Sequence, residues 1–160
     1  MILLHFTPNK NINIERKNTK KMSSLASYFI TPLPGILPKW LLFISAVSVF
    51  NSAQCYLSGL ELTRRVYENK PLETTGLSAR TFGTWTIISA IIRYIAAFHL
   101  NDPQIWNLVF ASYAIAFGHF MAELVIYKTA KFGKGFMGPF IVSTLSMGWL
   151  LYTRDFYLSL

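Results

Sequence analysis

Two apolar stretches, 81–100 and 104–127, dominate the middle of the chain, with only Asn101-Asp102-Pro103 between them. Each is about twenty residues or more, enough at ~1.5 Å rise per residue to cross a hydrocarbon core of ~30 Å. Between them they carry two formally charged side chains, Arg93 and Glu123. So short a link holding a Pro leaves no room for a domain, and the pattern predicts two helices that turn back and run antiparallel. Further apolar runs cover about 40–60 and 136–152. Before the first, Leu33-Pro34-Gly35-Ile36-Leu37-Pro38 breaks any helix, because Pro lacks a backbone donor and restricts its predecessor. Lys39-Trp40 then sets a cation beside an indole, as at a headgroup-level anchor.

The connections are polar. Residues 61–80 carry Arg64, Arg65, Lys70 and Arg80 with Glu61, Glu68 and Glu73. Their first part, through Tyr67, is predicted to extend the first helix past the membrane surface until Pro71 stops it. Residues 128–134 form a second basic loop with Lys128, Lys131 and Lys134, and Gly133, Gly135, Gly138 and Pro139 predict a flexible approach to the last span. The expected fold is all-α: a polytopic membrane protein with a four-transmembrane-helix bundle over 37–157, preceded by an N-terminal tail, 1–36.

Composition agrees. Of 160 residues, 52% are hydrophobic and only 14% charged, against about 25% charged in soluble domains. A net charge of +8 raises nucleic acid as a partner. The basic residues instead cluster in the tail and in two loops flanking apolar spans, which is juxtamembrane charge and no binding groove. Cys55 is the sole cysteine and lies in an apolar run, so the chain forms no internal disulfide. No Asn-x-Ser/Thr acceptor occurs.

The first 21 residues open with an apolar run, Met1 to Phe6, too short for a signal peptide. Lys10, Arg16, Lys17, Lys20 and Lys21 follow, with Glu15 as the one acid. Two readings stand: a disordered tail, or an extension ahead of a start at Met22. Orientation depends on which holds. Four spans put both termini and the Asn101 turn on one side and both basic loops on the other. Counted from Met22, the first side carries Lys39 and Arg154 and the second carries seven cations, which sets the loops in the cytoplasm. Counted from Met1, the two sides tie.

Folding the spans back on one another assigns depths. Arg93 lies about twelve residues in from the basic loops, level with Ser48, Tyr113 or Gly148; Glu123 lies about four residues in. The offset of about eight residues, roughly 12 Å, excludes a direct Arg93–Glu123 pair. Glu123 is expected to meet Arg80, Lys128 or a wet rim. A polar layer is expected near Asn51, Ser89, His119 and Thr144, with each interhelical hydrogen bond worth about 0.6–2 kcal/mol. His119 and Glu123 are four apart and share a helix face. As chemistry they would be a metal or proton-handling pair; as structure, interhelical glue. His99 is too distant in depth to complete a metal site and His5 is in the tail. Ala114, Gly118 and Ala122 form a small-residue stripe that favours close packing and the structural reading. No phosphate-cradling loop, nucleophile elbow or carboxylate pair can be assembled.

Four strings together carry a resemblance. They are Leu37-Pro38-Lys39-Trp40-Leu41-Leu42-Phe43-Ile44-Ser45; Val49-Phe50-Asn51-Ser52 with Leu62-Thr63-Arg64-Arg65-Val66-Tyr67; Leu77-Ser78-Ala79-Arg80-Thr81-Phe82-Gly83-Thr84-Trp85-Thr86; and Lys134-Gly135-Phe136-Met137-Gly138-Pro139 with Val142-Ser143-Thr144. Over about 37–157 the chain resembles the ergosterol biosynthetic protein 28 family, its fungal members in particular. The resemblance implies an endoplasmic-reticulum membrane scaffold with no catalytic activity and no cofactor of its own. Its implied partners are the sterol C4-methyl oxidase, the sterol C3-dehydrogenase/C4-decarboxylase and the 3-ketosteroid reductase. Arg64, Arg65, Arg80, Lys128, Lys131 and Lys134 are the candidate contacts, either to acidic patches on partners or to anionic lipid headgroups. Two alternatives remain. One is a sterol-binding or sterol-handing membrane protein, suggested by 16% aromatic content and the polar layer. The other is a small membrane enzyme using His119 and Glu123.

Overall fold

A computed structural model describes residues 30–160, and the tail and alternative-start readings lie outside them. Among the described residues six α-helices follow in order: α1 Leu37–Leu57, α2 Glu61–Val66, α3 Gly76–His99, α4 Pro103–Met121, α5 Lys134–Tyr152 and α6 Arg154–Leu158. A π-helical turn, Ala122–Ile126, continues α4. No strand occurs among the described residues, and α1, α3, α4 with its π turn, and α5 are each long and apolar enough to cross a membrane. The protein is an all-α, multi-pass membrane protein.

The helix boundaries follow from local chemistry. Pro38 sits in the first turn of α1 and does not block it, because the first N–H groups of a helix have no internal partner anyway. The helix therefore begins at Leu37, ahead of the expected Trp40. It ends at Leu57 and does not run on to Tyr67. Gly59 adopts φ +70°, a left-handed conformation that breaks the helix, and α2 starts afresh at Glu61. Helix α3 begins at Gly76, five residues before the expected Thr81. Thr75 and Ser78 form a capping box, in which Thr75 Oγ1 accepts from the Ser78 N–H and Ser78 Oγ from the Thr75 N–H. In the hairpin turn, Asp102 Oδ1 accepts from the N–H groups of Gln104 and Ile105, and Pro103 takes the first helical position.

Small polar residues line the buried face of α1, and bulky apolar side chains cover its outer face. Ser45, Ser48, Ser52 and Cys55 are buried on α1, while Phe43, Val47, Phe50 and Leu57 are exposed. The buried stripe packs on α3, the most extensive helix pairing in the fold. Ser45 Oγ donates to the Ala90 carbonyl at 2.8 Å and Ser52 Oγ to the Gly83 carbonyl at 2.7 Å. These bonds need backbones in close approach, which small residues permit. Around that pair, α4 packs on α3 and α5, and α2 rests on α5. One hydrophobic cluster sits at the Asn101 end, with Leu41, Leu100, Val109, Tyr113 and Leu150. A second, at the basic-loop end, holds Cys55, Val66, Phe82, Phe120 and Phe136.

Gly133 and Gly135 do not make a loose approach to the last span. A Cβ on Gly135 would collide with the Arg65 carbonyl, so this glycine lets α2 dock against the first turn of α5. Nor does the small stripe on α4 pack within the chain: a Cβ on Gly118 would meet nothing within 4 Å.

Gly83 tests the α1–α3 contact, since its first added carbon would lie 2.9 Å from Tyr56 Cε2 and 3.0 Å from Cys55 Cβ. Thermal unfolding in detergent should show Ser52→Ala costing about 0.6–2 kcal/mol, and Gly83→Leu costing clearly more. An unchanged midpoint for Gly83→Leu would refute the close approach.

Candidate functional site

The two basic connections meet at one end of the bundle and are stitched together by their backbones. The Asn69 N–H donates to the Thr129 carbonyl at 3.0 Å, and Asn69 Nδ2 donates to the carbonyls of Ala130 and Lys128. Lys131 pairs with Glu68 at 3.7 Å. The π turn presents the Glu123 carbonyl to the N–H groups of Thr129 and Ala130, and Thr129 Oγ1 also donates to the Glu123 carboxylate. Lys128, at φ +55°, turns the chain sharply enough to make this possible.

Beneath the stitched loops lies a cavity of about 490 Å³ whose lining includes Tyr67, Trp85, His119, Glu123 and Thr129. Tyr67 Oη and His119 Nε2 are 2.7 Å apart, and His119 Nδ1 faces Glu123 Oε1 at 3.9 Å. Burial, and then the neighbouring Glu123 charge, push the Tyr67 phenol well above its ordinary range. It therefore stays protonated, and the phenol oxygen and Nε2 share one hydrogen bond. The result is a phenol–imidazole–carboxylate line walled by Phe82 and Trp85. Among the described residues no cluster of three or more His, Cys, Asp or Glu is placed to hold a metal.

The other expected positions divide. Glu123 meets His119 and Thr129, and no ion pair joins it to Arg80 or Lys128, because the π turn folds it under the loop. Arg93 and Glu123 form no ion pair, and Arg93 Nη1 donates to Ser48 Oγ at 2.9 Å while its guanidinium lies 4.4 Å from the Tyr113 ring centre. The layer of Asn51, Ser89, His119 and Thr144 does not form. The hydroxyls of Ser89 and Thr144 bond their own helix at the Trp85 and Phe140 carbonyls, and His119 turns to Tyr67. Inside a helix a Ser or Thr hydroxyl satisfies itself on the preceding turn. Polar contacts between α1 and α3 come instead from Ser45, Ser48 and Ser52, a stripe at three- and four-residue spacing that sequence reasoning passed over, and from Tyr56 with Thr84.

The six basic candidates all lie at the loop end and are exposed. Arg65 pairs loosely with Glu61 at 4.0 Å, whereas Arg64, Arg80, Lys128 and Lys134 make no ion pair among the described residues. They leave an outward-facing positive rim.

Since the Tyr67 phenol is raised on folding from an ordinary value of 10.0, its contribution to loop stapling is intact below about pH 10 and lost as pH rises further. Amide protection factors at Asn69 and Thr129, taken against the intrinsic base-catalysed rate, should fall above that pH. Tyr67→Phe should abolish the alkaline step and cost about 1 kcal/mol at neutral pH. Protection factors that stay flat across the alkaline range in the unaltered chain would refute the stapling role.

Comparison with known proteins places this architecture. A family model described as "Erg28 like protein" matches residues 37–148, which includes all four spans except the last turn of α5. "Ergosterol biosynthetic protein 28" of Saccharomyces cerevisiae is 64% identical over 123 residues, covering 77% of this chain and 83% of that protein. The Candida albicans protein of the same name is 48% identical over 139 residues, covering 84% of this chain and 100% of that protein. A human protein, "Ergosterol biosynthetic protein 28 homolog", is 32% identical over 113 residues, covering 71% and 81%. No solved structure matches. With most of the membrane domain matched by the family model and by relatives across eukaryotes, the chain belongs to the Erg28-like family.

Proposed function

We propose that this chain works in ergosterol biosynthesis, as a non-catalytic scaffold in the endoplasmic-reticulum membrane. Its partners are the enzymes of sterol C4 demethylation: the C4-methyl oxidase, the C3-dehydrogenase/C4-decarboxylase and the 3-ketosteroid reductase. The observation that carries this reading is the match to relatives named for ergosterol biosynthesis over nearly the whole membrane domain.

The geometry supports it in two ways. The rim of Arg64, Arg80, Lys128 and Lys134 is exposed at the end of the bundle where the two loops are bonded together. The spans also carry exposed apolar faces, and Gly118 leaves room on α4 for a partner helix. Successive enzymes acting on one membrane-bound sterol gain from a tether, because linking them raises effective concentration with no new contact to the substrate. The same rim also suits anionic headgroups, and the charge-reversal experiment below separates the two uses.

Mild solubilisation of tagged protein from native membranes should recover the three enzymes together. A chain that purifies alone while other membrane complexes survive would refute the scaffold. Arg64→Glu with Arg65→Glu, or Lys131→Glu with Lys134→Glu, should cut recovery several-fold if the rim docks enzymes. Unchanged recovery with weakened binding to anionic vesicles would assign the rim to lipid.

The Tyr67–His119–Glu123 line favours a second reading, a small membrane enzyme. Full pathway flux with His119→Gln and Glu123→Gln would remove it. Loss of sterol turnover in a purified, folded variant would support it.

A further inference from the structure

Arg93 is the least compensated charge inside the bundle. Its side chain is almost wholly enclosed, at 6% exposure, within the membrane-spanning part of α3. No carboxylate among the described residues pairs with it. Ser48 takes one N–H, the Tyr113 ring covers the guanidinium, and Nε is buried with no acceptor. A guanidinium held from water without an anion is costly, and inside a membrane such a residue marks a site.

Arg93 also lines a second cavity, of about 480 Å³, within the span. Its walls include Val47 and Asn51 of α1, Ser89 of α3, Phe120 of α4, and Gly138 and Val142 of α5. At the Asn101 end Trp40 Nε1 donates to Ser146 Oγ at 2.9 Å, joining α1 to α5. At the other end α2 packs against α5 beside Gly135. The volume falls within the range of small-molecule sites, and the walls are chiefly apolar. The cavity is a different space from the one beneath the loops that Tyr67 and His119 line.

We propose that this cavity binds one lipid acid, its carboxylate on Arg93 and its apolar body against α1 and α5. A carboxylate supplies the counter-charge that the guanidinium lacks, and Arg–carboxylate pairs are among the strong charge-assisted hydrogen bonds. The choice of a sterol body rests on the proposed function. An oxidase acting on the C4 methyl ahead of a decarboxylase at the same carbon must pass on a sterol 4-carboxylate. The occupant is therefore a 4-carboxysterol, held while it moves between enzymes.

The test uses the full chain, purified into nanodiscs, with a diazirine-bearing 4-carboxysterol as probe. Labelled peptides are expected from α1 and α5. Unlabelled 4-carboxysterol should compete at a concentration about tenfold below that of a 4,4-dimethylsterol, because a charge-assisted hydrogen bond is at stake. Arg93→Gln should erase that preference. Gly138→Leu offers a variant that leaves Arg93 untouched: a Cβ there meets nothing within 4 Å, so the side chain projects into the cavity without a backbone clash and should block labelling. Labelling unchanged in both variants would overturn the site, and oleate competing as well as the 4-carboxysterol would overturn the sterol assignment. Enzyme recovery is read in parallel. Enzymes recovered with an unlabelled chain refute the site alone, while a labelled chain without enzymes supports the site and counts against the scaffold.

Discussion

Everything in this bundle depends on how α1 meets α3. In hydrocarbon no water satisfies a hydroxyl, so Ser45 and Ser52 must find acceptors within the protein, and they find them on the backbone of α3. A side chain as short as Ser reaches a neighbouring carbonyl only when the two helices nearly touch. That demand sets small residues along the seam and pushes the bulky apolar side chains outward to lipid. Packing here is driven by shape and hydrogen bonding, because lipid tails are as apolar as the side chains they replace.

The basic-loop end is built on a different principle. Its shape comes from amide and carbonyl groups of Asn69, Glu123, Thr129 and Ala130 bonding across two loops, and the long cations are left outside that network. Exposed ion pairs such as Arg65–Glu61 contribute little to folding. The charges are thus available for contact with something else, while the loops beneath them are bonded to each other.

Much of the architecture was legible in the order of the residues. Stretches of twenty apolar residues admit few alternatives, and Asn101-Asp102-Pro103 encodes its own cap and first turn. The depth of Arg93 followed from counting residues along antiparallel helices, and Ser48 and Tyr113 do lie beside it. Helix ends were less legible where one residue decides them: Gly59 stops α1, while Thr75 and Ser78 start α3 early. The polar layer was misplaced for a physical reason. Depth alone does not say whether a hydroxyl points across the bundle or back to its own helix, and Ser89 and Thr144 do the latter. The spacing of Ser45, Ser48 and Ser52 held the better clue. The Tyr67–His119 contact joins residues 52 apart in sequence, through a loop whose path no periodicity describes.

The π turn at Ala122–Ile126 sets a constraint on how this chain can drift in length. Such a turn holds one residue more than an α turn, so a single deletion there would leave an ordinary helix in its place. The flanking helix would keep its register in that exchange, but the Glu123 carbonyl would take the N–H four residues on, as in any α turn. The Glu123 carbonyl would no longer face Thr129, and the second loop would lose its hold on the first. Length at this point is therefore less free to change than on the lipid-facing spans, where one apolar residue substitutes for another with little consequence.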